Sequence, residues 1–184
     1  MLASRVRNRI QHMGFKAKTC VRYNEPWHAH ALTFSCFLKR PFFQDHKISD
    51  LFVEALDKAR RRLAFDVWAY VVMPDHAHLV IWPREEHYSI SRILFAIKRA
   101  AAYRAGTAGR MGSLHFWQEG GGYDRNLWKV ATIHKEIDYI HNNPVRRGLC
   151  QAPEDWRYSS AAFWAGRKHV PLVMDDSLPP RECL

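Results

Sequence analysis

His76 and His78 stand two residues apart at the head of an apolar run, HAHLVIW (His76 to Trp82), that reads as a strand. Successive side chains of a strand alternate between faces, so residues i and i+2 project together and both imidazoles leave the sheet side by side. Two neutral imidazoles on a rigid element supply two ligands of a divalent-metal site, with oxygen donors needed to complete it. A pair of partly exposed histidines on a sheet face is the competing reading, and the spacing accommodates both. His28-Ala29-His30 repeats the pattern. That pair begins a strand beside Trp27 and reads as structural or surface.

A second group lies on one expected helix, TIHKEIDYIHNN (Thr132 to Asn143). At about 100° per residue, Ile133, Ile137 and Ile140 share a narrow arc and define its buried stripe. Tyr139 and Asn143 are four apart and neighbour each other on the helix, roughly a quarter to a third of a turn from that stripe. Such a tyrosine sits at the edge of the core and can face a cleft. Asn143 precedes Pro144 at the helix end, where its amide oxygen could reach a metal. A boundary tyrosine followed by an asparagine C-cap explains the same spacing. His141 projects about 200° away from Tyr139 and is set aside as its base. Among rival nucleophiles, Tyr123 follows three glycines and is poorly positioned, and Tyr158 lies in a Trp-rich tail and reads as packing.

The elements that must position these groups follow from periodicity and turn chemistry. Strands are expected over residues 28–38, 65–73 and 76–82, the last two forming a hairpin across Pro74-Asp75. Helices are expected over residues 48–63, where Leu51, Val53, Ala55, Leu56 and Ala59 form the apolar stripe, and from a Ser89 cap to Tyr103. A short strand-like piece near Leu114 to Trp117 and a flexible joint at Gly120-Gly121-Gly122 precede the last helix, capped by Thr132 and ended by Pro144 and Gly148. The result is an α+β sandwich, one antiparallel sheet covered by helices. The tail from Pro153 shows little regular pattern.

Composition narrows the partners. The 184 residues suit one domain, and 47% apolar with 25% charged residues is ordinary globular composition. Lys and Arg number 28 against 18 Asp and Glu, a formal net charge of +10, which favours polyanions and nucleic acid first among them. Cys20, Cys36, Cys150 and Cys183 are too scattered for a zinc knuckle and read as reduced thiols. Charged and histidine residues interrupt the most apolar region, so no membrane span is expected. Residues 1–25 hold six basic residues before the first acid, Glu25, and read as a flexible basic arm. No signal peptide is evident, which points to the cytoplasm.

Taken together, several motifs resemble one family. MPDHAHLV (Met73 to Val80) resembles the histidine–hydrophobic–histidine (HUH) motif of single-tyrosine transposases, with Ala77 as the small middle residue. FWQEGGGYDRNLW (Phe116 to Trp128), DYIHNNPVRRGL (Asp138 to Leu149) and PEDWRYSS (Pro153 to Ser160) are similar to the REP-associated branch of these enzymes. The resemblance runs from about residue 28 to about 165, with the motifs in order, and divides the chain into the arm at 1–25, a transposase domain at 26–165 and a tail at 166–184. It implies a ferredoxin-like α+β sandwich, with His76, His78 and Asn143 as ligands of Mg²⁺ or Mn²⁺ and Tyr139 as nucleophile. The implied reaction is cleavage and strand transfer of single-stranded DNA at short palindromic hairpins through a 5′-phosphotyrosine. A hairpin-DNA binder that has kept the fold without catalysis is the alternative, and a nuclease activating water a third reading. DNA contacts are expected from Arg146 and Arg147, directly after the catalytic helix, and from Lys98, Arg99 and Arg104. A bacterial cytoplasmic monomer, on the nucleoid when bound to DNA, is the expected state, with a dimer as the other option.

Overall fold

The computed structural model describes residues 21–107, 115–120, 122–167 and 170–177. Most of the basic arm, Cys20, Leu114, Gly121, Cys183 and the end of the tail lie outside the described residues. The elements run β1 (Ala29–Ser35), α1 (His46–Arg62), β2 (Phe65–Met73), β3 (His76–Pro83), α2 (Ile90–Thr107), β4 (Tyr123–Leu127), α3 (Val130–His141), α4 (Asn143–Arg146) and α5 (Ala161–Trp164). The four strands form one sheet in the order β2-β3-β1-β4, with every pairing antiparallel. A β-α-β-β-α-β order with β1 and β3 central is the ferredoxin-like α+β sandwich.

Alternation along the strands gives the sheet two apolar faces. Leu32, Phe34, Val72, Leu79 and Ile81 meet α1 and α2 on one side. Ala29, Ala31, Val71, Met73 and Val80 meet Ile133, Ile137 and Ile140 of α3 on the other. His76 and His78 share the parity of Val80 and therefore lie on the α3 face. The hairpin turn beneath them is pinned, because Cys36 N–H donates to the Asp75 carbonyl at 2.8 Å and Phe43 N–H to the Pro74 carbonyl at 3.0 Å.

Local chemistry moved several element ends. Asp45 caps α1 by accepting from Lys47 N–H at 2.9 Å, so this helix begins before residue 48, and Phe52 is buried in the core where Leu51 was expected. Ser89 caps α2 as expected, its hydroxyl accepting from Arg92 N–H at 3.3 Å. Strand β4 occupies residues read as the exit of a glycine joint, because pairing with β1 overrides a polar sequence, YDRNL. Of the piece expected near Trp117, the described part makes a single bridge to Cys36. Helix α3 starts at Val130 with Lys129, not Thr132, at its N-cap. Pro144 does not end the helical path but sits in the first turn of α4, where its missing N–H costs nothing.

The chain after Pro153 is built onto the exposed side of β2, an edge of the sheet. Val72 N–H donates to the Tyr158 carbonyl at 2.8 Å, Ser160 N–H to the Tyr70 carbonyl at 3.0 Å, and Val67 N–H to Asp175 Oδ2 at 2.9 Å. Leu172 and Met174, in the segment assigned to the tail, are buried in the core. Pairing of this kind hides backbone groups that an edge strand otherwise offers to a second chain. Among the described residues no helix is long and apolar enough to cross a membrane.

Candidate active site

Strand register brings the two histidines to one point. The Nε2 atoms of His76 and His78 are 3.0 Å apart. Each ring is held from behind: His76 Nδ1 lies 2.5 Å from Asp75 Oδ1, and His78 Nδ1 lies 2.8 Å from Thr33 Oγ1. Burial depresses both histidines, His78 to about 3 with help from the charges of His76, Lys39, Arg147 and Arg146. Burial outweighs the opposing pull of Asp75 on His76, so both are neutral imidazoles at neutral pH and the Asp75 contact is Nδ1–H donating to a carboxylate. His76 Nε2 therefore presents a lone pair.

The Thr33 hydroxyl can rotate. When it donates to His78 Nδ1, His78 Nε2–H donates to His76 Nε2 and the pair closes on itself. When it accepts, both Nε2 lone pairs face one point. Two ligands at right angles around an octahedral cation, each about 2.1 Å from it, are separated by about 3.0 Å, the spacing seen here. Carboxylate and hydroxyl partners behind the rings are the usual means of fixing tautomer and orientation of metal-binding imidazoles. Among the described residues no group of three or more His, Cys, Asp or Glu is placed to hold a metal, so a third protein donor has to come from another side-chain type.

An amide oxygen is one such type, and Asn143 carries an amide four residues after Tyr139. It is the first residue of α4, and Asn142 is the C-cap of α3, its Nδ2 donating to the Asp138 carbonyl at 2.8 Å, which shifts the expected cap by one position. Asn143 Oδ1 accepts from Arg146 at 2.9 Å, while its Nδ2 is buried without a partner. An unpaired buried donor costs about 1–3 kcal/mol. A half-turn of the amide would exchange the two atoms and turn this orphan into an oxygen donor. The two anchored imidazoles thus fit two ligand positions of a divalent cation, and Asn143 carries an amide that is not satisfied in its present orientation.

Tyr139 is 51% exposed on α3, the helix packed over the histidine face. The Arg146 guanidinium lies over its ring, 4.1 Å from the centroid. His141 points into the core, with Nε2 2.7 Å from Ser160 Oγ, consistent with setting it aside as a base. Tyr158 is buried and donates to Asp50 at 2.9 Å, a packing role. Tyr123 begins β4 and pairs with Thr33 on β1. His30 is fully buried between Asp124, 2.8 Å from Nδ1, and Tyr88, 2.7 Å from Nε2, while His28 stacks on Trp128. The first His-x-His is structural.

The basic residues divide between the two faces of the sheet. Arg146 and Arg147 sit beside the histidines, where their charge acts on His78. Lys98, Arg99 and Arg104 lie on α2, across the sheet. Arg104 is 2.5 Å from Glu54, and Lys98 packs over Trp117 at 5.7 Å. Arg60 and Arg61 are paired with Asp57, and Arg60 also with Asp175. Thr33, Asp75 and Lys39, absent from the sequence reading of the site, shape it. Their signal was present: Thr33 and Ser35 are the polar alternates of β1, and Asp75 directly precedes His76.

The sequence model of one family, described as "Transposase IS200 like", matches residues 27–143. A REP-associated tyrosine transposase of Escherichia coli (strain K12) is 26% identical over 106 residues, 58% of this chain and 60% of that protein. The match thus spans less than two thirds of the curated relative's length. A solved structure of a REP-associated tyrosine transposase bound to a REP hairpin superimposes with a TM-score of 0.70 at 20% identity, covering 91% of this chain and 99% of that one. At that identity the likeness shows a shared fold.

Proposed function

The chain belongs to the IS200-like transposase family, and from that premise we propose that it cuts and transfers single-stranded DNA at hairpin-forming sequences, with Tyr139 as nucleophile. The observation that carries this reading is the convergence of His76 and His78 Nε2 at 3.0 Å, each ring anchored at Nδ1, on the sheet face covered by the helix that bears Tyr139. Hairpin DNA as substrate is supported by the REP-associated relative and by the REP hairpin bound in the structure of the same fold.

His76, His78 and Asn143 would hold Mg²⁺ or Mn²⁺, both of which accept imidazole and amide oxygen alongside phosphate and water. When bound, the cation polarises the scissile phosphate and offsets charge growing in the transition state. Asp75 and Thr33 keep the imidazoles aimed. Tyr139 Oη attacks phosphorus and loses its proton to solvent. The P–O3′ bond breaks, and the departing oxygen takes a proton to become a 3′-OH. The 5′-phosphate stays on Tyr139, so a 3′-OH can reverse the step without ATP. Arg146 and Arg147, directly after the helix that bears Tyr139, would hold the flanking phosphates. The basic face of α2 offers Lys98 and Arg99 to DNA passing round the sheet, with Phe95 and Tyr103 exposed beside them for stacking.

End-group analysis of a cleaved hairpin-bearing strand tests the reaction class. A 3′-OH on one product and a protein-blocked 5′ end on the other, formed with Mn²⁺ and absent with EDTA, is the expected pattern. Two unblocked ends would indicate a water-using nuclease, and binding without cleavage a non-catalytic hairpin binder.

A further inference from the structure

Arg146 touches both groups that the proposed chemistry needs beyond the histidines. Its guanidinium lies 4.1 Å from the centroid of the Tyr139 ring, and one of its terminal nitrogens donates to the Tyr139 carbonyl at 2.8 Å and to Asn143 Oδ1 at 2.9 Å. The Asn143 oxygen is thereby occupied and its buried nitrogen left without an acceptor. Arg146 itself is exposed at the protein surface, where a phosphate can reach it. One arginine thus ties down the nucleophile's ring and the third donor at the same time.

We propose that Arg146 is a latch that DNA opens: an incoming phosphate takes the guanidinium from Asn143 Oδ1, and only then can Asn143 turn its oxygen towards a cation held by His76 and His78. The exchange is favourable because a guanidinium bonds an anionic phosphate oxygen more strongly than a neutral amide. Release lets the orphaned Nδ2 and the engaged Oδ1 trade places, which removes the unpaired buried donor. It also uncovers the Tyr139 ring. The consequence is coupling: DNA strengthens metal binding, and by reciprocity metal strengthens DNA binding by the same factor. Without DNA, His76 and His78 alone would hold the cation; with DNA, Asn143 would join them. Arg146 is a positioning residue, acting through Asn143 and Tyr139.

This inference rests on the metal-site reading above, and its test separates the two. Mn²⁺ affinity is measured by calorimetry on the whole chain without DNA, for the wild type and for Arg146→Ala, Arg146→Lys and His76→Ala/His78→Ala. Hairpin-DNA affinity is then compared in Mn²⁺ and in EDTA. The latch predicts that Arg146→Ala binds Mn²⁺ roughly fivefold or more tightly without DNA, because a bond to a charged group no longer holds the amide. It also predicts that Mn²⁺ tightens DNA binding in the wild type and much less in Arg146→Ala. Arg146→Lys, which keeps the charge but lacks the planar fork, should fall between them. If Mn²⁺ binding requires the histidines yet is the same in wild type and Arg146→Ala, the latch is wrong and the metal site stands. If binding does not require the histidines, the metal-site reading fails and the latch with it.

Discussion

Thr33 and His78 are cross-strand partners in the β1–β3 ladder, and Thr33 Oγ1 lies 2.8 Å from His78 Nδ1. The register of two central strands thus decides where the His78 lone pair points. Thr33→Val keeps the shape and removes the hydrogen bond. Metal affinity is expected to fall by about 10–100-fold, the usual effect of losing such a supporting contact, with only a small change in melting temperature. A Mn²⁺ titration beside a thermal melt checks this; unchanged affinity would mean that the hydroxyl does not orient the ring.

Gly122 lies against the same threonine. It has φ +70°, and a Cβ there would meet the Thr33 carbonyl oxygen at 2.5 Å. Gly148 has a similar φ of +66° but open space around it. Gly148→Ala should cost about 1 kcal/mol for the left-handed backbone alone, whereas Gly122→Ala should cost about 2–4 kcal/mol as β1 is pushed aside. Urea unfolding of both variants reads the difference, and equal losses would show that the close approach to Thr33 is easily relieved. Gly122→Ala should also weaken Mn²⁺ binding.

Stability should fall in acid through His141. Burial lowers this histidine from 6.5 to about 4. Below pH 6.5 the unfolded chain takes up a proton that the folded chain does not, so stability declines between pH 6.5 and about 4, and this group adds no further loss below that. His141→Gln, which can still meet Ser160, should flatten the slope across that window by up to about one proton. Urea unfolding in EDTA at several pH values measures it. An unchanged slope would mean that His141 is protonated in the folded state.

The split of basic residues predicts unequal contributions to DNA binding. Arg147 stands by the histidines, while Arg104 is held by Glu54. Arg147→Ala should lower affinity and reduce the salt slope by about one, and Arg104→Ala should change the slope little. Hairpin-binding titrations over a range of salt distinguish the two, and a larger effect from Arg104→Ala would overturn this assignment.

Much of this architecture was legible because its signals are local. The β2–β3 hairpin showed as two apolar runs about Pro74-Asp75, and the stripe Ile133, Ile137, Ile140 gave both helix and buried face. Strand β4 was not legible, since YDRNL carries no β pattern and is held by pairing with β1. The site divides in the same way. His76 and His78 share a face by strand periodicity alone, but the Thr33 contact spans 45 residues and depends on register. Asn143 looked like a cap because Pro144 was read as a stop; a proline in the first turn of a new helix gives the same dipeptide. Charge totals likewise could not reveal that Arg60, Arg61 and Arg104 are paired with acids.

The central claim is that Tyr139 becomes covalently joined to DNA. Labelled single-stranded DNA carrying a hairpin from the flanks of the gene would be incubated with the protein in Mn²⁺ or in EDTA. Any adduct would be digested and mapped by mass spectrometry, with Tyr139→Phe in parallel. The account predicts a metal-dependent 5′-phosphotyrosine on the peptide containing Tyr139, absent from the variant although hairpin binding persists. Cleavage that survives Tyr139→Phe, or an adduct on any other residue, would contradict it.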